Sequence, residues 1–178
     1  MSEIMTRSYV MFDPLHPLPE LLDITDIAHS LSMLCRANGH FKSFYSVGQH
    51  SINCMHEAEK RGYSRRVQLG CLLHDGSEAY LSDVTRPVKE ELPRYKEIEA
   101  PLQEIIWNKW LDTPLTGEER RLIFEIDDAI LAHEFLHLME AAIFDPIPPI
   151  CSEPVFAFTG FTACKEEFLS LFRLLTGE

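Results

Sequence analysis

"LGCLLHDGSEAY", residues 69–80, is an apolar run broken by an imidazole and a carboxylate side by side, with a second carboxylate four positions after the imidazole. A helix buried over most of its circumference prefers Leu and Ala at such positions, so three ionisable side chains there need a reason. His74 and Glu78 are four apart, and Asp75 and Glu78 three apart, spacings that bring side chains together on one side of a helix. An imidazole beside a carboxylate is also a nitrogen and hard-oxygen donor set, suited to a divalent transition metal rather than to calcium. A hydrogen-bonded His-Asp pair on a helix surface would explain the doublet alone, so the reading turns on the rest of the chain.

The stretch lies in an expected helix over 64–81, apolar nearly all round and therefore central. Upstream, 23–39 reads as a helix with Ile24, Ile27, Leu31 and Leu34 on one face and Gly39 as its stop. A second helix follows over 46–62, with Ser46 as N-cap and Gly62 as terminator. Downstream, 82–95 reads as a polar connection limited by Pro87 and Pro93, and 100–111 as a helix with Pro101 in its first turn. The longest segment, 116–144, opens on a capping box of Thr116 and Glu119. A loop from 145 and an amphipathic helix over 162–175 complete the pattern, and no stretch reads as a strand. The expectation is an all-α, single-domain helical bundle over residues 1–178. Its parts are an extended arm over 1–20 with prolines at 14, 17 and 19, a motif-bearing core over 22–140, and a loop and final helix over 145–178.

The chain's 178 residues suit one domain, and 46% hydrophobic with 25% charged residues is a globular composition. A net charge of −12 argues against a nucleic-acid polymer as partner, while a metal or a few local cations would still admit a small anion. Five cysteines without a C-x-x-C pair read as reduced thiols. With no apolar signal region and no run near the ~18 residues of a membrane span, the sequence reads as soluble, cytoplasmic and without a membrane partner.

A metal needs ligands from more than one helix. His50 lies near the start of the preceding helix, and "EIDDAI", 125–130, places two acids inside an apolar frame of Ile123, Ile126, Ile130 and Leu131. An unpaired carboxylate there would be expensive, and metal ligation is one compensation. This order resembles the HD-domain metal-dependent phosphohydrolases. The blocks "YSVGQHS" (45–51), "LLHDGSEAYLSDVTRPVK" (72–89) and "EIDDAILAHE" (125–134) are similar to those of the bacterial HD-domain 5′-deoxynucleotidases and related small nucleotide phosphohydrolases, over roughly 22–140.

The resemblance implies one divalent transition metal ion (Mn, Co, Fe, Ni or Zn) held by His50, His74, Asp75 and a later Asp. Spacing to "LAHE" matches Asp127 to that last position, and Asp127 shares a face with Ile123, Ile130 and Glu134, whereas Asp128 sides with Phe124 and Leu131. By the same resemblance Glu78 is the acid/base residue beside the metal, Arg36 grips substrate phosphate, Asp83 lies near the sugar and Lys89 is a nearby cation. From the residues alone, a solvated helix-end cation competes closely with that role for Arg36, and for Lys89 a solvated cation is the better reading. The implied activity is hydrolysis of a (deoxy)nucleoside 5′-monophosphate. Its rivals are release of triphosphate from a deoxynucleoside triphosphate, with Lys42 or Arg86 supplying charge, and a non-catalytic nucleotide-binding protein. Homo-oligomers, dimeric or higher, remain open.

One further motif competes. "HEFLH", 133–137, satisfies the letters of a zinc-protease signature, with His133 and His137 as ligands and Glu134 as base. No His follows residue 137 and Glu140 is too close for the usual third ligand, so the match reads as coincidence.

Overall fold

The computed structural model describes residues 3–178. It is all-α, with eight helices among the described residues: α1 (Ile24–Met33), α2 (Val47–Lys60), α3 (Arg65–Leu73), α4 (Glu78–Leu81), α5 (Arg86–Glu90), α6 (Pro93–Trp110), α7 (Gly117–Leu138) and α8 (Phe161–Thr176). The arm expected to be merely extended carries a two-residue antiparallel pair, β1 (Ile4–Met5) with β2 (Met11–Phe12), and a 3-10 turn over Pro19–Leu21. Phe12 anchors it in the core, stacked on Tyr80 at 4.3 Å. Among the described residues no helix is long and apolar enough to cross a membrane.

α2 is the axis of the bundle and packs on α1, α3, α7 and α8. Only His56, Glu59 and Lys60 of its residues escape burial, so its polar Gln49, His50, Asn53 and Glu57 must all find partners inside. Ser46 caps it by accepting from the Gln49 N–H, and Gly62 ends the segment at φ +72, a left-handed turn that other side chains rarely adopt. Two small residues set the close approaches. A Cβ on Gly48 would stand 3.1 Å from the α1 backbone, and one on Gly70 would stand 2.5 Å from Ile123 of α7.

Three expected boundaries move. α1 stops at Met33 rather than near Gly39, because Cys35 pairs as a β-bridge with Ser46 and the Arg36 N–H donates to the Tyr45 carbonyl. Ala37, Asn38 and Gly39 then turn through positive φ. The polar connection holds α5, and α6 begins at Pro93, so Pro101 lies inside that helix rather than in its first turn. α7 ends at Leu138 instead of running on to 144, and Glu140 follows at φ +55.

The fourth difference matters most. The expected 64–81 helix is broken: α3 ends at Leu73, a tight turn holds residues 74–77, and α4 starts at Glu78. Gln103 of α6 serves the backbone groups that the break releases, accepting from the Ser77 N–H at 3.0 Å and donating to the Leu73 carbonyl at 2.8 Å. The turn keeps 3-10-type bonds such as Gly76 N–H to the Leu73 carbonyl and Glu78 N–H to the Asp75 carbonyl, and in it His74 Nε2 and Asp75 Oδ2 stand 3.4 Å apart.

Candidate metal centre

Four side chains from three parts of the chain meet at one point. His50 comes from α2, His74 and Asp75 from the turn after α3, and Asp127 from α7. His50 Nε2 lies 3.2 Å from His74 Nε2, 3.2 Å from Asp127 Oδ1 and 3.8 Å from Asp75 Oδ2. His74 Nε2 lies 3.4 Å from Asp75 Oδ2 and 3.8 Å from Asp127 Oδ1. Ligands about 2.1 Å from a shared ion stand roughly 3.0–3.4 Å apart at octahedral or tetrahedral angles, so these separations are close to those of a coordination shell.

The hydrogen-bond partners fix which ring nitrogens face the cluster. His74 Nδ1 lies 2.7 Å from the Cys71 carbonyl, which only accepts, so Nδ1 carries the proton. His50 Nδ1 lies 2.6 Å from Glu134 Oε1 and donates to it. Burial would push the Glu134 carboxyl up, but His50 and Arg36 outweigh it and hold the group below its ordinary value, hence ionised. With each Nδ1 committed to its acceptor, the two Nε2 atoms face each other at 3.2 Å beside two carboxylates, and against burial and Arg36 the neighbouring Cys54, Glu134 and Asp127 hold the His50 imidazole well above its ordinary value. Only protons or a metal ion relieve that arrangement, and the donor set fits a divalent transition metal.

Asp127 and Asp128 separate cleanly. Asp127 faces the imidazoles, and Asp128 turns outward to accept from Arg86 Nη1 at 2.8 Å. Against the burial that raises it, His50 and His74 hold Asp127 well below the carboxylate range. Cys54, which sequence reasoning passed over as a core thiol, packs one turn after His50 with Sγ 3.5 Å from Nε2, and donors of His50, Cys54 and His74 lie within 4.8 Å of one another. Burial pushes this thiol up to about 11, so the free protein holds a weak neutral donor there. The spacing of four between His50 and Cys54 was its signal.

A cleft of about 520 Å³ opens beside this cluster, with Asp75 and Asp127 in its wall. Arg36, Glu78, Asp83 and Lys89 all line it. Arg36 is not a solvated helix-end cation: it is buried, with Nη1 3.1 Å from Asp75 Oδ2 and Nε 3.3 Å from Glu134 Oε2. Burial opposes its charge, and Glu134, Asp75, Asp127 and Asp83 overcome that opposition. Glu78 is 4% exposed and its Oε2 is buried without a hydrogen-bond partner. Burial, then the charges of Asp75 and Asp83, push its carboxyl well above the ordinary value. Lys89 is not solvated either, standing 3.5 Å from Glu78 Oε1 and 2.7 Å from Glu99 Oε1. Arg86 also lines the cleft, with Nη2 3.4 Å from Asp127 Oδ2, whereas Lys42 pairs with Glu140.

The protease-like letters do not make a site. His133 Nε2 donates to the Pro148 carbonyl, His137 Nδ1 to the His133 carbonyl, and the two rings lie 6.3 Å apart. Glu134 is fully buried between His50 and Arg36, where it serves the other cluster.

No protein-family model matches the chain. It is 39% identical over 87 residues to the uncharacterized protein YfdR of Escherichia coli, covering 49% of this chain and 46% of that protein. It is 36% identical over 95 residues to an uncharacterized protein of Rhodobacter capsulatus, covering 51% of this chain and 48% of that one. The chain thus spans about half the length of the curated relatives it matches.

Proposed function

We propose that the protein is a metal-dependent phosphohydrolase whose substrate is a nucleotide, first of all a (deoxy)nucleoside 5′-monophosphate. The observation that carries this reading is the pairing of two imidazoles and two carboxylates around one point with a cleft that holds Arg36 and Glu78 beside it. A divalent ion on His50, His74, Asp75 and Asp127 would supply Lewis acidity toward a phosphoryl oxygen and lower the pKa of water. Arg36, fixed by two carboxylates, offers its remaining N–H groups to the charge that gathers on the phosphoryl group. Glu78, whose carboxyl burial pushes well above its ordinary value, is suited to donate a proton to the leaving oxygen. Asp83, half-buried in the cleft, would accept from a sugar hydroxyl, and Lys89 stands between Glu78 and Glu99.

The net charge of −12 favours a small nucleotide over a nucleic-acid polymer, and the cytoplasm with its reduced thiols suits five cysteines that form no disulfide among the described residues. Homo-oligomers are compatible with this reading. Arg86 favours a second reading, release of triphosphate from a deoxynucleoside triphosphate, because it adds a half-exposed cation to the cleft for a longer phosphate tail. Chromatography of products from dAMP and dATP in parallel, with Mn²⁺, Co²⁺, Mg²⁺ and Zn²⁺, tests both. Deoxyadenosine and phosphate from dAMP support the monophosphatase. Faster consumption of dATP to deoxyadenosine and triphosphate replaces it with the second reading. No turnover of either with any metal sinks both and leaves a binding protein.

A further inference from the structure

The cleft changes character along α7. Asp127, Leu131 and Phe135 follow one another at one-turn spacing and all three line it. A helix rises about 1.5 Å per residue, so the wall turns apolar roughly 6 Å from Asp127 at Leu131 and stays so to about 12 Å at Phe135. Phe41, Ile143 and Phe144 line the same cleft, and Phe41 meets Phe135 edge to face at 5.3 Å. Every charged lining side chain comes from residue 36, the 75–89 segment or residue 127, and these five apolar positions bring none. Ile143 is 44% exposed in this structure, an apolar surface turned to solvent at the cleft.

We propose that this apolar stripe is the subsite for the organic half of the substrate, and that it takes a flat aromatic ring by packing alone, about 6–12 Å from the metal ligands along α7. The proposal rests on the phosphohydrolase reading for the anionic end. The cleft's volume lies in the range of small-molecule sites, and its polarity is divided as a nucleotide is divided between its phosphate and its flat base. Offset or edge contacts with Phe side chains favour an aromatic ring over a hydroxylated group, which would leave its hydroxyls unpaired against Phe135 and Leu131. Removing about 100 Å² of ring surface from water would strengthen binding by roughly 30- to 250-fold.

The test compares benzylphosphonate with methylphosphonate, which share the anionic end and resist hydrolysis, by calorimetry on the Mn²⁺-loaded full chain. Benzylphosphonate is expected to bind at least about 10-fold more tightly. Ile143→Ser with Phe144→Ser, both beyond the end of α7, is expected to remove most of that preference while methylphosphonate affinity and manganese content stay unchanged. Equal affinities for the two phosphonates, no binding of either, or a preference untouched by the double variant overturns the proposal. Phosphate release from dAMP and dATP is measured separately. Its absence with both, beside an intact phosphonate preference, overturns the hydrolase reading and leaves the aromatic subsite standing.

Discussion

His50 and Glu134 form a fully buried pair between α2 and α7, with Nδ1 2.6 Å from Oε1. The carboxylate fixes the ring's proton on Nδ1 and leaves Nε2 to face His74 and Asp127. Its other oxygen takes Arg36 Nε, so one buried carboxylate orients both a metal-facing ring and a cleft-facing guanidinium. Supporting carboxylates of this kind typically contribute about 10- to 100-fold to metal affinity. Glu134→Gln should therefore keep the fold and lose affinity by about that factor in a chelator competition. Unchanged affinity would show that the ring needs no such anchor.

The two neighbouring acids of α7 should behave in opposite ways. Asp127→Asn should abolish stoichiometric metal, whereas Asp128→Asn, which loses only an exposed contact to Arg86, should retain it. His133→Ala combined with His137→Ala should also retain it. Metal analysis of the purified variants decides, and loss on changing the two helix histidines would restore the protease-like reading.

Glu78→Gln should leave metal content and thermal midpoint close to the parent's and lower kcat by about two to four orders of magnitude, the range for a lost proton donor. The carboxyl's high pKa depends on burial first and on Asp75 and Asp83 next. Near-normal kcat with dAMP would remove Glu78 from the reaction.

Glu57 ties the loop after α7 to α2. It accepts from the backbone N–H groups of Cys151 and Ser152, from Ser152 Oγ at 2.6 Å and from Arg61 Nε at 2.6 Å. Burial raises its pKa, but Ser152 and Arg61 together with the backbone donors outweigh burial and hold it below the ordinary value. A group depressed in the folded state contributes stability that is complete above its unfolded pKa of about 4.3 and is lost as pH falls through the folded one. Glu57→Gln should cost about 1–3 kcal/mol at neutral pH. It should also flatten the loss of stability on acidification below about pH 4.3. Urea melts at several pH values read both effects, and parallel acid profiles for parent and variant would contradict the assignment.

What the sequence disclosed and what it hid divide along physical lines. Helical periodicity, the capping box at Thr116 and the Ser46 cap depend on residues close in the chain, and the structure has them where expected. The break at 74–77 depends on Gln103, which lies far along the chain and reads there as an ordinary polar helix residue. Lys89 reads better as solvated, and Arg36 nearly as well so, for the same reason, since Glu99 and Glu134 are partners that only the packing supplies. The convergence of His50, His74, Asp75 and Asp127 was legible as a motif, but its geometry was not.

That turn supplies the last test. The Gln103 side-chain amide accepts from Ser77 N–H and donates to the Leu73 carbonyl, both in the buried segment that carries His74 and Asp75. Gln103→Met conserves volume and removes both bonds; the Leu73 carbonyl keeps the Gly76 N–H, and the Ser77 N–H is left unpaired at about 1–3 kcal/mol. The turn then has two ways to recover. It can reach water, which lowers stability by about that amount, or it can close toward regular helix by pairing the Ser77 N–H with the Leu73 carbonyl, which shifts the backbone that carries His74 and Asp75. The second route breaks the 3.4 Å approach between His74 Nε2 and Asp75 Oδ2 and should weaken metal binding although no ligand has changed. Gln103→Glu is the control, because it keeps the acceptor for Ser77 N–H and loses the donor to Leu73. The expected order of metal affinity is parent, then Gln103→Glu, then Gln103→Met, measured by chelator competition beside urea melts. Equal affinity in all three, with the melts shifted, would mean that the turn holds its shape without α6.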